Sequence, residues 1–526
     1  MKRTLGFGLA AVVAAAGAGE WAMAQGAAGS PPVVPGKMAK MATVDERYQA
    51  FNVEMLEVTG GRFWAPYKAA KTPEPEAGRA SVPAGMDPSM YRFREPIDLG
   101  DVRLRKLAAA LGPTYIRVSG TWANSTYFQD NDEAQMKTPP KGFGGVLTRK
   151  QWKGVIDFGK AVDAEIVTSF AITPGVRDAE GVWTPVEAKK FLAYTKGAGG
   201  KIAAAELFNE PTFALMGGAP SPYDGAAYGR DFKVFRRFMR DAAPGTLILG
   251  PGSVGEAGSL GDIKMKITPT TEMLKASGPG VDGFSYHFYG GVSKRCKPGN
   301  PNAAEIEALA LSDAGLMRTA RDEVFYAKLR DQYEPGKPMW LTETGEAACG
   351  GDPWAATYLD SFRYLNQLGA LAKLGVRSVM HNTLAASDYA LVDEETMTPR
   401  PNYWAALLWR KMMGTTVLDA GVTAVPGMYV YAHCERGVAG GVSLLVINAG
   451  AAAHALMVPV KSERYTLAAR ELQGGVVELN GSALMLTAAG DVPKLQGKAQ
   501  GAGSVEFGGR TITFLGVGGA GNGVCR

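Results

Sequence analysis

Two acidic side chains stand where an apolar segment of strand length comes to an end. Glu210 closes the segment Ile202–Pro211 (IAAAELFNEP), and Glu343 closes the segment Lys337–Gly345 (KPMWLTETG). A proline directly after Glu210 ends ladder pairing and disfavours helix at that glutamate. The glycine shortly after Glu343 can turn the chain away from the strand. Paired strand-end carboxylates of this kind indicate acid/base chemistry on a sugar bond.

The two carboxylates would have the separate tasks of a retaining glycosidase. One carboxylic acid protonates the leaving oxygen and one carboxylate attacks the anomeric carbon, across a separation of about 5–5.5 Å. We predict Glu210 as the acid/base and Glu343 as the nucleophile, with Asn209 donating a hydrogen bond to the sugar 2-hydroxyl. Each glutamate alone could equally be a solvated turn residue, and Glu346 is an alternative to Glu343 or a rim charge. The pair favours catalysis because both acids fall at strand ends that were counted independently of them.

Apolar runs of strand length recur between residues 48 and 413. They predict eight strands, at Ala50–Met55, Tyr115–Ser119, Glu165–Ala171, Ile202–Phe208, Leu247–Gly250, Gly283–His287, Met339–Glu343 and Val376–Asn382. Segments of helical period lie between most of them, at Val102–Leu111, Lys150–Val162, Pro185–Thr195, Ala226–Ala242, Ala304–Leu329, Trp354–Leu374 and Tyr403–Met412. This alternation predicts an α/β fold, a (β/α)8 TIM barrel with enlarged loops over residues 48–413.

The strand count places the candidate residues on one face of the barrel. Glu210 ends the fourth predicted strand and Glu343 ends the seventh, and active sites of such barrels lie at the C-terminal strand ends. His287 closes the sixth strand and precedes Tyr289, and these side chains could hydrogen-bond the nucleophile and keep it ionised. A packed aromatic strand end is the alternative interpretation. His381 in the eighth strand is a weaker candidate of the same kind.

The last fifth of the chain has a different pattern. Short alternating runs separated by Gly-rich turns predict a β-sandwich domain over residues 414–526. Residues 25–47 are predicted as a linker, with a possible additional sandwich strand near Met41–Val44. His433 and His454 lie in the predicted sandwich and are interpreted as structural.

The first 24 residues have the pattern of a secretory signal peptide. Lys2 and Arg3 precede an apolar run to Ala18, and Ala22 and Ala24 fit a small-x-small cleavage site. A membrane anchor is the alternative, but the run is shorter than the ~20 residues needed to span a bilayer. We therefore expect a secreted or periplasmic protein with no membrane segment after cleavage. The formal net charge of +5, from 56 basic and 51 acidic residues, is too small to indicate a nucleic-acid partner.

The chain has four cysteines, which in an exported protein permit three disulfide pairings. A bridge between Cys434 and Cys525 would tie the last residues to an early strand of the predicted sandwich. Cys296 and Cys349 could join two loops over the site, because Cys349 lies six residues beyond Glu343. Metal binding is the alternative, but no two cysteines stand at ligand spacing.

Several segments around these residues resemble glycoside hydrolase family 79, the family of heparanase and the microbial β-glucuronidases. LFNEPTF resembles the family's acid/base segment, and WLTETGEAACGG resembles its nucleophile segment, which favours Glu343 over Glu346. YHFY resembles the sixth-strand His-x-Tyr element, and LGPTYIRVSGT resembles the second-strand stretch. The run SDYALVDEETMTPRPNYWAALLWRKMMGTTVL follows the family's pattern closely. The resemblance covers most of the barrel and the start of the sandwich.

The resemblance implies further site residues. A uronic acid carboxylate would be held by the backbone N–H groups of two glycines after the nucleophile and by a tyrosine. The implied substrate contacts are Asn209, Thr121, His287, Tyr289, Gly350, Gly351 and Tyr389. Asn52 and Glu54 fall near the family's substrate-binding acid, although neither aligns with it securely. The C-terminal disulfide of the family has its counterpart in Cys434 and Cys525.

The function that the resemblance implies is exo-acting removal of terminal glucuronic acid from an oligo- or polysaccharide, by double displacement and without a metal or organic cofactor. Endo-cleavage of the heparanase type is an alternative. It is disfavoured because residues 127–149 contain no long excisable linker and no cluster of Lys and Arg flanks the expected cleft. A neutral-sugar glycosidase of the same barrel clan and a non-catalytic carbohydrate-binding barrel are the remaining alternatives.

Overall fold

The computed structural model describes most of the chain beyond its N-terminal region. The described residues are 32–67, 82–83, 86–261, 265–296, 306–422 and 425–526. The predicted signal peptide, residues 1–24, and the first part of the predicted linker lie outside them. Within these ranges, no helix is both long and apolar enough to cross a membrane.

Strands and helices alternate through the first three quarters of the chain, and strands dominate the rest. The strands are β1 (Lys40–Thr43), β2 (Gln49–Glu54), β3 (Gly61–Trp64), β4 (Tyr91–Arg94), β5 (Thr114–Ser119), β6 (Thr126–Gln129), β7 (Gly145–Thr148), β8 (Ala164–Ser169), β9 (Ile202–Glu206), β10 (Leu247–Ser253), β11 (Gly283–Tyr289), β12 (Met339–Gly345), β13 (Ser378–His381), β14 (Met413–Leu418), β15 (Met428–Glu435), β16 (Val442–Asn448), β17 (His454–Val458), β18 (Ser462–Ala468), β19 (Glu478–Leu479), β20 (Ser482–Ala483), β21 (Lys498–Gln500), β22 (Gly503–Phe507) and β23 (Thr511–Val517). The α-helices are α1 (Met55–Thr59), α2 (Val102–Ala110), α3 (Arg149–Ala161), α4 (Val186–Gly197), α5 (Gly225–Ala242), α6 (Thr270–Ser277), α7 (Ile306–Leu309), α8 (Asp313–Leu316), α9 (Arg318–Tyr333), α10 (Tyr358–Lys373) and α11 (Pro401–Met412).

Eight of these strands close into a parallel barrel. Around the ring they follow their order along the chain, which is β2, β5, β8, β9, β10, β11, β12 and β13. The predicted TIM barrel is therefore confirmed, and each predicted strand overlaps an observed one. Because all eight strands run in the same direction, their C-terminal ends surround a single mouth.

An apolar layer fills the interior of the ring and supports the mouth from below. It contains one side chain from each of seven barrel strands, among them Tyr115, Ala204 and Trp340. Side chains two residues further along a strand lie on the same face. The interior face of β5 therefore continues from Tyr115 to Arg117, and that of β9 continues from Ala204 to Glu206. This alternation brings charged side chains into the barrel directly above its apolar layer.

The prediction of one long helix over Ala304–Leu329 is wrong. The described part of this range forms the separate helices α7, α8 and α9. The break arises locally, because the Ser312 side chain accepts a hydrogen bond from the Gly315 backbone N–H and caps a new helix start. Two helices that the sequence interpretation did not include, α1 and α6, also pack around the barrel.

The C-terminal region forms two antiparallel layers of unequal size. The larger sheet has the order β1, β14, β15, β16, β23, β18, β19 and β20, and β21 pairs with β18. Strands β17 and β22 form a separate ladder on its outer face. Leu444 and Val446 face this ladder, whereas Leu445 and Ile447 join the core shared with the barrel. The strand considered near Met41–Val44 exists as β1, at the edge of the larger sheet.

Both disulfides considered from the sequence are present. Cys434 and Cys525 join β15 to the end of the chain, with their Cα atoms 5.2 Å apart. Cys296 and Cys349 join the loops that follow β11 and β12, with their Cα atoms 6.4 Å apart. The second bridge therefore lies at the mouth of the barrel, beside the loop that follows Glu343.

Candidate active site

Glu210 lies at a sharp corner beyond β9, immediately before the 3-10 turn Pro211–Phe213. Its φ of 49° is left-handed, a conformation that costs a non-glycine residue about 1–3 kcal/mol and persists only when the surroundings impose it. Asn124 imposes it through the preceding peptide. The Asn124 side chain accepts a hydrogen bond from the Asn209 N–H at 2.8 Å and donates one to the Asn209 carbonyl at 2.9 Å.

Glu343 faces into the barrel because β12 does not keep a regular register. The pairing of β12 shifts on both sides, against β11 and against β13, and such bulges re-aim side chains. As a result the neighbouring residues Thr342 and Glu343 both point inward. Thr342 Oγ1 donates to Glu206 Oε1 at 2.9 Å. Glu343 accepts hydrogen bonds from Arg117 Nη1 at 2.8 Å and from the Tyr289 hydroxyl at 2.6 Å.

The two predicted catalytic carboxylates meet across the mouth of the barrel. One oxygen of Glu210, one oxygen of Glu343 and one ring nitrogen of His287 all lie within 4.8 Å of one another. A pair of carboxyl groups this close matches the short separation of retaining glycosidases rather than the wider gap of inverting ones, about 6.5–9.5 Å. The geometry suits direct attack on an anomeric carbon held between the two groups.

Glu210 has the protonation behaviour that a general acid requires. Burial raises the pKa of Glu210 to about 7; the charge of Arg117 opposes this rise, and the charge of Glu206 adds to it. A carboxyl group with this pKa is still substantially protonated near neutral pH. Glu210 can therefore deliver a proton under conditions in which an exposed glutamate is fully ionised.

His287 is neutral and has a defined tautomer. Burial lowers the pKa of His287 to about 4. Its Nε2 lies 3.3 Å from Arg117 Nη2, which can only donate, so Nε2 is the acceptor. The proton must then be on Nδ1, which donates to Glu210 Oε1 at 3.1 Å. His287 thus contacts the acid/base directly, while Tyr289 provides the hydrogen bond to the predicted nucleophile.

Arg117 and Glu206 form a buried ion pair beneath the two carboxylates. Arg117 Nη2 lies 2.9 Å from Glu206 Oε2, and both side chains are 1% exposed. Burial raises the pKa of Glu206, but the charge of Arg117 and hydrogen bonds to the carboxylate outweigh it, and the net pKa is lowered. Burial alone would lower the pKa of Arg117. The negative charges of Glu206 and Glu343 outweigh this effect and raise its pKa above the ordinary value. The site therefore holds a fixed cation between two carboxylates.

Asn209 keeps an amide N–H available for the role predicted from the sequence, a hydrogen bond to the sugar 2-hydroxyl. Its Oδ1 accepts from Arg117 Nη2 at 2.7 Å. Its buried Nδ2 has no hydrogen-bond partner among the described residues. The contact with Arg117 fixes the orientation of the amide, because an arginine donor requires the oxygen on that side. Asn209 can therefore offer an N–H group to a sugar hydroxyl.

Glu54 adds a third carboxyl group at the mouth. It ends β2, and its Oε1 accepts from Asn382 Nδ2 at 3.1 Å. Burial and then the charge of Glu343 raise the pKa of Glu54 well above its ordinary value. A Cβ atom at Gly120 would lie only 1.6 Å from Glu54 Oε2, so this position must be glycine. Thr121 follows and opens a 3-10 helix at the end of β5.

Gly350, Gly351 and Tyr389 lie together, as the family resemblance implies. Both glycines have a φ of 79°, and a Cβ atom at Gly351 would lie 3.1 Å from the Tyr389 ring. Both glycines lie in the turn that follows Glu343. The Tyr389 hydroxyl accepts from Asn382 Nδ2 at 3.1 Å, and the same amide contacts the Tyr289 hydroxyl. The glycine turn therefore borders the hydrogen-bond network of the nucleophile.

The other candidates have structural partners. Glu346 is buried and accepts from the Asp352 backbone N–H, so it stabilises the loop after β12. His381 donates Nε2–H to the Tyr389 carbonyl at 2.7 Å, and His433 donates Nδ1–H to the Gly414 carbonyl at 2.6 Å. In both contacts the histidine nitrogen must be the donor, because a carbonyl oxygen can only accept.

The cluster of Glu210, His287 and Glu343 also has the spacing of a metal site. The donor set does not fit one well, however. Glu343 already accepts from the Arg117 guanidinium, which would repel a second cation, and Glu210 favours its protonated form. We therefore assign the cluster to proton transfer and hydrogen bonding.

The sequence interpretation missed Arg117, Glu206, Asn124 and Asn382. A signal existed for the first two, because each is a charged residue at an interior-facing position of an otherwise apolar strand. Counting two residues along from Tyr115 and Ala204 would have identified them. No comparable signal marked Asn124, which lies in the 3-10 helix after β5, or Asn382, which directly follows β13.

Known proteins resemble the chain in sequence and in fold. No family model matches the chain. The chain is 27% identical over 370 residues to heparanase-like protein 1 of Arabidopsis thaliana, covering 67% of this chain and 65% of that protein, slightly under two thirds of its length. It is 33% identical over 165 residues to baicalin-β-D-glucuronidase of Scutellaria baicalensis, covering 30% of this chain and 31% of that protein.

A solved structure extends the comparison to the whole fold. The 4-O-α-L-rhamnosyl-β-D-glucuronidase from Fusarium oxysporum superposes with a TM-score of 0.61 at 12% identity, covering 93% of this chain and 99% of that chain. At this identity the likeness shows the fold alone. A TIM barrel with paired carboxylates at its mouth, together with sequence similarity to a heparanase and a β-D-glucuronidase, makes the chain a glycoside hydrolase. Its similarity to heparanase-like and glucuronidase sequences confirms the resemblance to glycoside hydrolase family 79.

Proposed function

We propose that the protein is a retaining, exo-acting β-glucuronidase that removes terminal glucuronic acid from a glycan. The observation that carries the proposal is the approach of Glu210 and Glu343 within 4.8 Å. Burial raises the pKa of Glu210 to about 7, and an arginine and a tyrosine donate hydrogen bonds to Glu343. One carboxyl group that can deliver a proton, at this distance from a second one aimed at the same space, is what a double displacement needs.

In the first step the Glu343 carboxylate attacks the anomeric carbon and forms a glycosyl ester. The bond to the leaving oxygen breaks, and that oxygen takes the proton of Glu210. His287 holds Glu210 Oε1 by donating Nδ1–H, so the acidic proton is available on Oε2. The first product leaves as the alcohol, and Glu210 is now a carboxylate.

In the second step water completes hydrolysis through the same residues. Glu210 takes a proton from water while the water oxygen attacks the anomeric carbon, and the ester bond to Glu343 breaks. Both carboxyl groups return to their starting states. Arg117 keeps a carboxylate partner throughout, because Glu206 remains ionised while Glu343 is esterified. The buried cation is therefore never left without a counter-charge, which would cost several kcal/mol.

The substrate class follows from the groups around the pair. The turn at Gly350 and Gly351 is suited to a carboxylate, because consecutive backbone N–H groups in a turn form anion-binding concavities. Tyr389 packs against Gly351 and supplies a hydroxyl. A uronic acid presents its carboxylate on C5, and the similarity to a baicalin-β-D-glucuronidase supports the same assignment. Endo-cleavage of the heparanase type and hydrolysis of a neutral sugar are the competing activities.

The test compares turnover of nitrophenyl β-D-glucuronide, glucoside and xyloside. We expect the glucuronide to be the best substrate and Glu343→Gln to abolish turnover while the protein remains folded. Glu323→Gln is the matched control, because Glu323 is a buried carboxyl group on α9 outside the site. A preference for neutral sugars would refute the substrate assignment. Sugar binding without turnover in the wild type would favour the non-catalytic barrel.

We also propose that the protein is exported. The support is the N-terminal pattern, together with two disulfides that use all four cysteines. Disulfides persist in oxidising compartments and are rare in the cytosol. Detection of the mature chain, beginning after Ala24, in the periplasm or medium would support export. Recovery of the full-length chain in the cytosol would refute it.

A further inference from the structure

A cluster of aromatic side chains lies at the barrel mouth beside the proposed uronate site. We call Phe63, Trp64, Tyr91 and Trp122 the aromatic wall. Trp64 stacks on Tyr91 with ring centroids 4.5 Å apart, and both rings meet Trp122 edge-on at 6.3 and 6.1 Å. Phe63 packs against Trp122 at 5.0 Å. These contacts make the wall a single packed unit rather than a set of separate rings.

The wall covers one arc of the barrel mouth. Its hairpin, β3 and β4, follows the first barrel strand, and Trp122 follows the second. The same cluster includes Leu56 after β2 and Ala386 after β13. The strands β13, β2 and β5 are neighbours in the ring. The wall therefore spans the ends of three consecutive strands, on the far side of the mouth from β10.

The position of Glu210 shows which part of a substrate the wall faces. A general acid must lie beside the glycosidic oxygen, so the leaving group lies on the side of Glu210. Glu210 follows β9, which is adjacent to β10 in the ring. The opposite arc, where the wall stands, then faces the far end of the glycosyl unit, including its 4-hydroxyl.

Trp64 connects the wall to the proposed uronate site. A Cβ atom at Gly350 would lie 2.5 Å from Trp64 Cβ, so the indole side chain is packed against the turn that offers its N–H groups. A sugar whose carboxylate binds this turn would have Trp64 beside its non-reducing end. The indole N–H of Trp122 and the hydroxyl of Tyr91 have no partner among the described residues. Both polar groups are buried within the wall.

Arg295 holds the wall in place from the opposite loop. Its guanidinium stacks over the Tyr67 ring at 4.1 Å and donates to the carbonyl groups of Ala65 and Met90, which flank the hairpin. Arg295 also pairs with Asp388 at 3.4 Å. The residue beside it, Cys296, carries the disulfide to the loop after β12. These contacts connect the wall to the loops that follow the sixth, seventh and eighth barrel strands, and they fix its position relative to the barrel mouth.

We propose that the aromatic wall, through Trp64, closes the glycone end of the active site and makes the enzyme exo-acting. A glycosyl unit with a free 4-hydroxyl fits beneath the wall, whereas one that carries another sugar at that position collides with it. This inference rests on the proposed function for the orientation of the sugar. It adds that end specificity is set by the strand pair β3 and β4, which follows the first barrel strand.

The test measures kcat/KM on two nitrophenyl β-D-glucuronides, one with a free 4-hydroxyl and one glycosylated at that hydroxyl. We expect the wild type to prefer the free substrate by at least 100-fold. Trp64→Ala should narrow this preference at least tenfold by accepting the glycosylated substrate, whereas Trp64→Phe should retain it. Tyr333→Ala, which removes a half-buried aromatic ring on α9, is the control and should leave the preference unchanged. Thermal unfolding is measured for each variant, and Trp64→Leu replaces Trp64→Ala if the latter does not fold.

Two results would overturn the inference. One is equal turnover of both substrates by the wild type. The other is a folded, active variant with a small residue at position 64 that keeps the full preference. Failure of the proposed function is a separate result, in which the glucoside is hydrolysed and the glucuronide is not. The same free and 4-glycosylated pair is then compared as glucosides, for which the wall predicts the same discrimination.

Discussion

Replacing Arg117 by methionine tests whether one buried cation supports both the fold and the predicted nucleophile. Arg117 is 1% exposed and contacts two carboxylates, Glu206 at 2.9 Å and Glu343 at 2.8 Å. Methionine fills a similar volume but carries no charge and no donor. Both carboxylates would then lie in a poorly solvated interior without the group that compensates them. We expect losses of stability and of activity, with separable causes.

The structure sets the size of each effect. Breaking a buried ion pair by removing one partner costs about 3–5 kcal/mol. At about 2 °C per kcal/mol for a large chain, Tm should fall by roughly 6–10 °C. A hydrogen bond to a charged group contributes about 1.5–3 kcal/mol. If that is lost from the reacting state, kcat/KM at neutral pH falls roughly 10- to 150-fold.

The assay combines thermal unfolding with a pH profile of kcat/KM, and a second variant separates the two causes. Arg117→Met should lower kcat/KM throughout the profile, because Glu343 loses a charged hydrogen-bond donor. Adding Glu206→Gln removes one orphaned charge, so the double variant should recover part of the lost Tm without recovering activity. A single variant with the wild-type Tm and the wild-type kcat/KM would refute the reasoning.

Three further predictions follow from other contacts. Activity requires protonated Glu210, whose pKa is raised to about 7 by burial. The value of kcat/KM should therefore fall as the pH rises through about 7. A rate that still rises above pH 8 would contradict the assignment of Glu210 as the acid. Cys349→Ser, or mild reduction, should loosen the loop that carries the two glycines and raise KM for the glucuronide more than it lowers kcat; an equal effect on a neutral glycoside would show that the bridge has no role in uronate binding. Asp231→Ala should lower the free energy of unfolding by about 3–5 kcal/mol, because Asp231 is fully buried and lies 2.8 Å from Arg177. Asp231→Asn should cost less, because the amide keeps part of the hydrogen bonding. Denaturant unfolding measures both losses, and an equal loss in the two variants would contradict a contribution from hydrogen bonds.

The sequence was informative about the barrel because its signals are local. Strand length, helical period and the proline after Glu210 all act within a few residues of chain. The same locality explains the error over Ala304–Leu329, where a serine cap divides one helical pattern into separate helices. It also explains why the two catalytic candidates could be named, since each stands at its own strand end.

The electrostatics of the site could not be derived in the same way. Arg117 is 89 residues from Glu206 and 226 residues from Glu343, and its charge compensates both only after eight strands have closed into a ring. The tautomer of His287 depends on that same cation.

By itself, the amino-acid sequence determined the repeated strands, the two acidic corners and the cysteines available for bridges. Only the tertiary structure decided which residues surround each carboxylate, which group carries the proton and where the aromatic wall stands. The physical reason is that secondary structure depends on neighbours along the chain, whereas desolvation and charge interaction depend on neighbours in space.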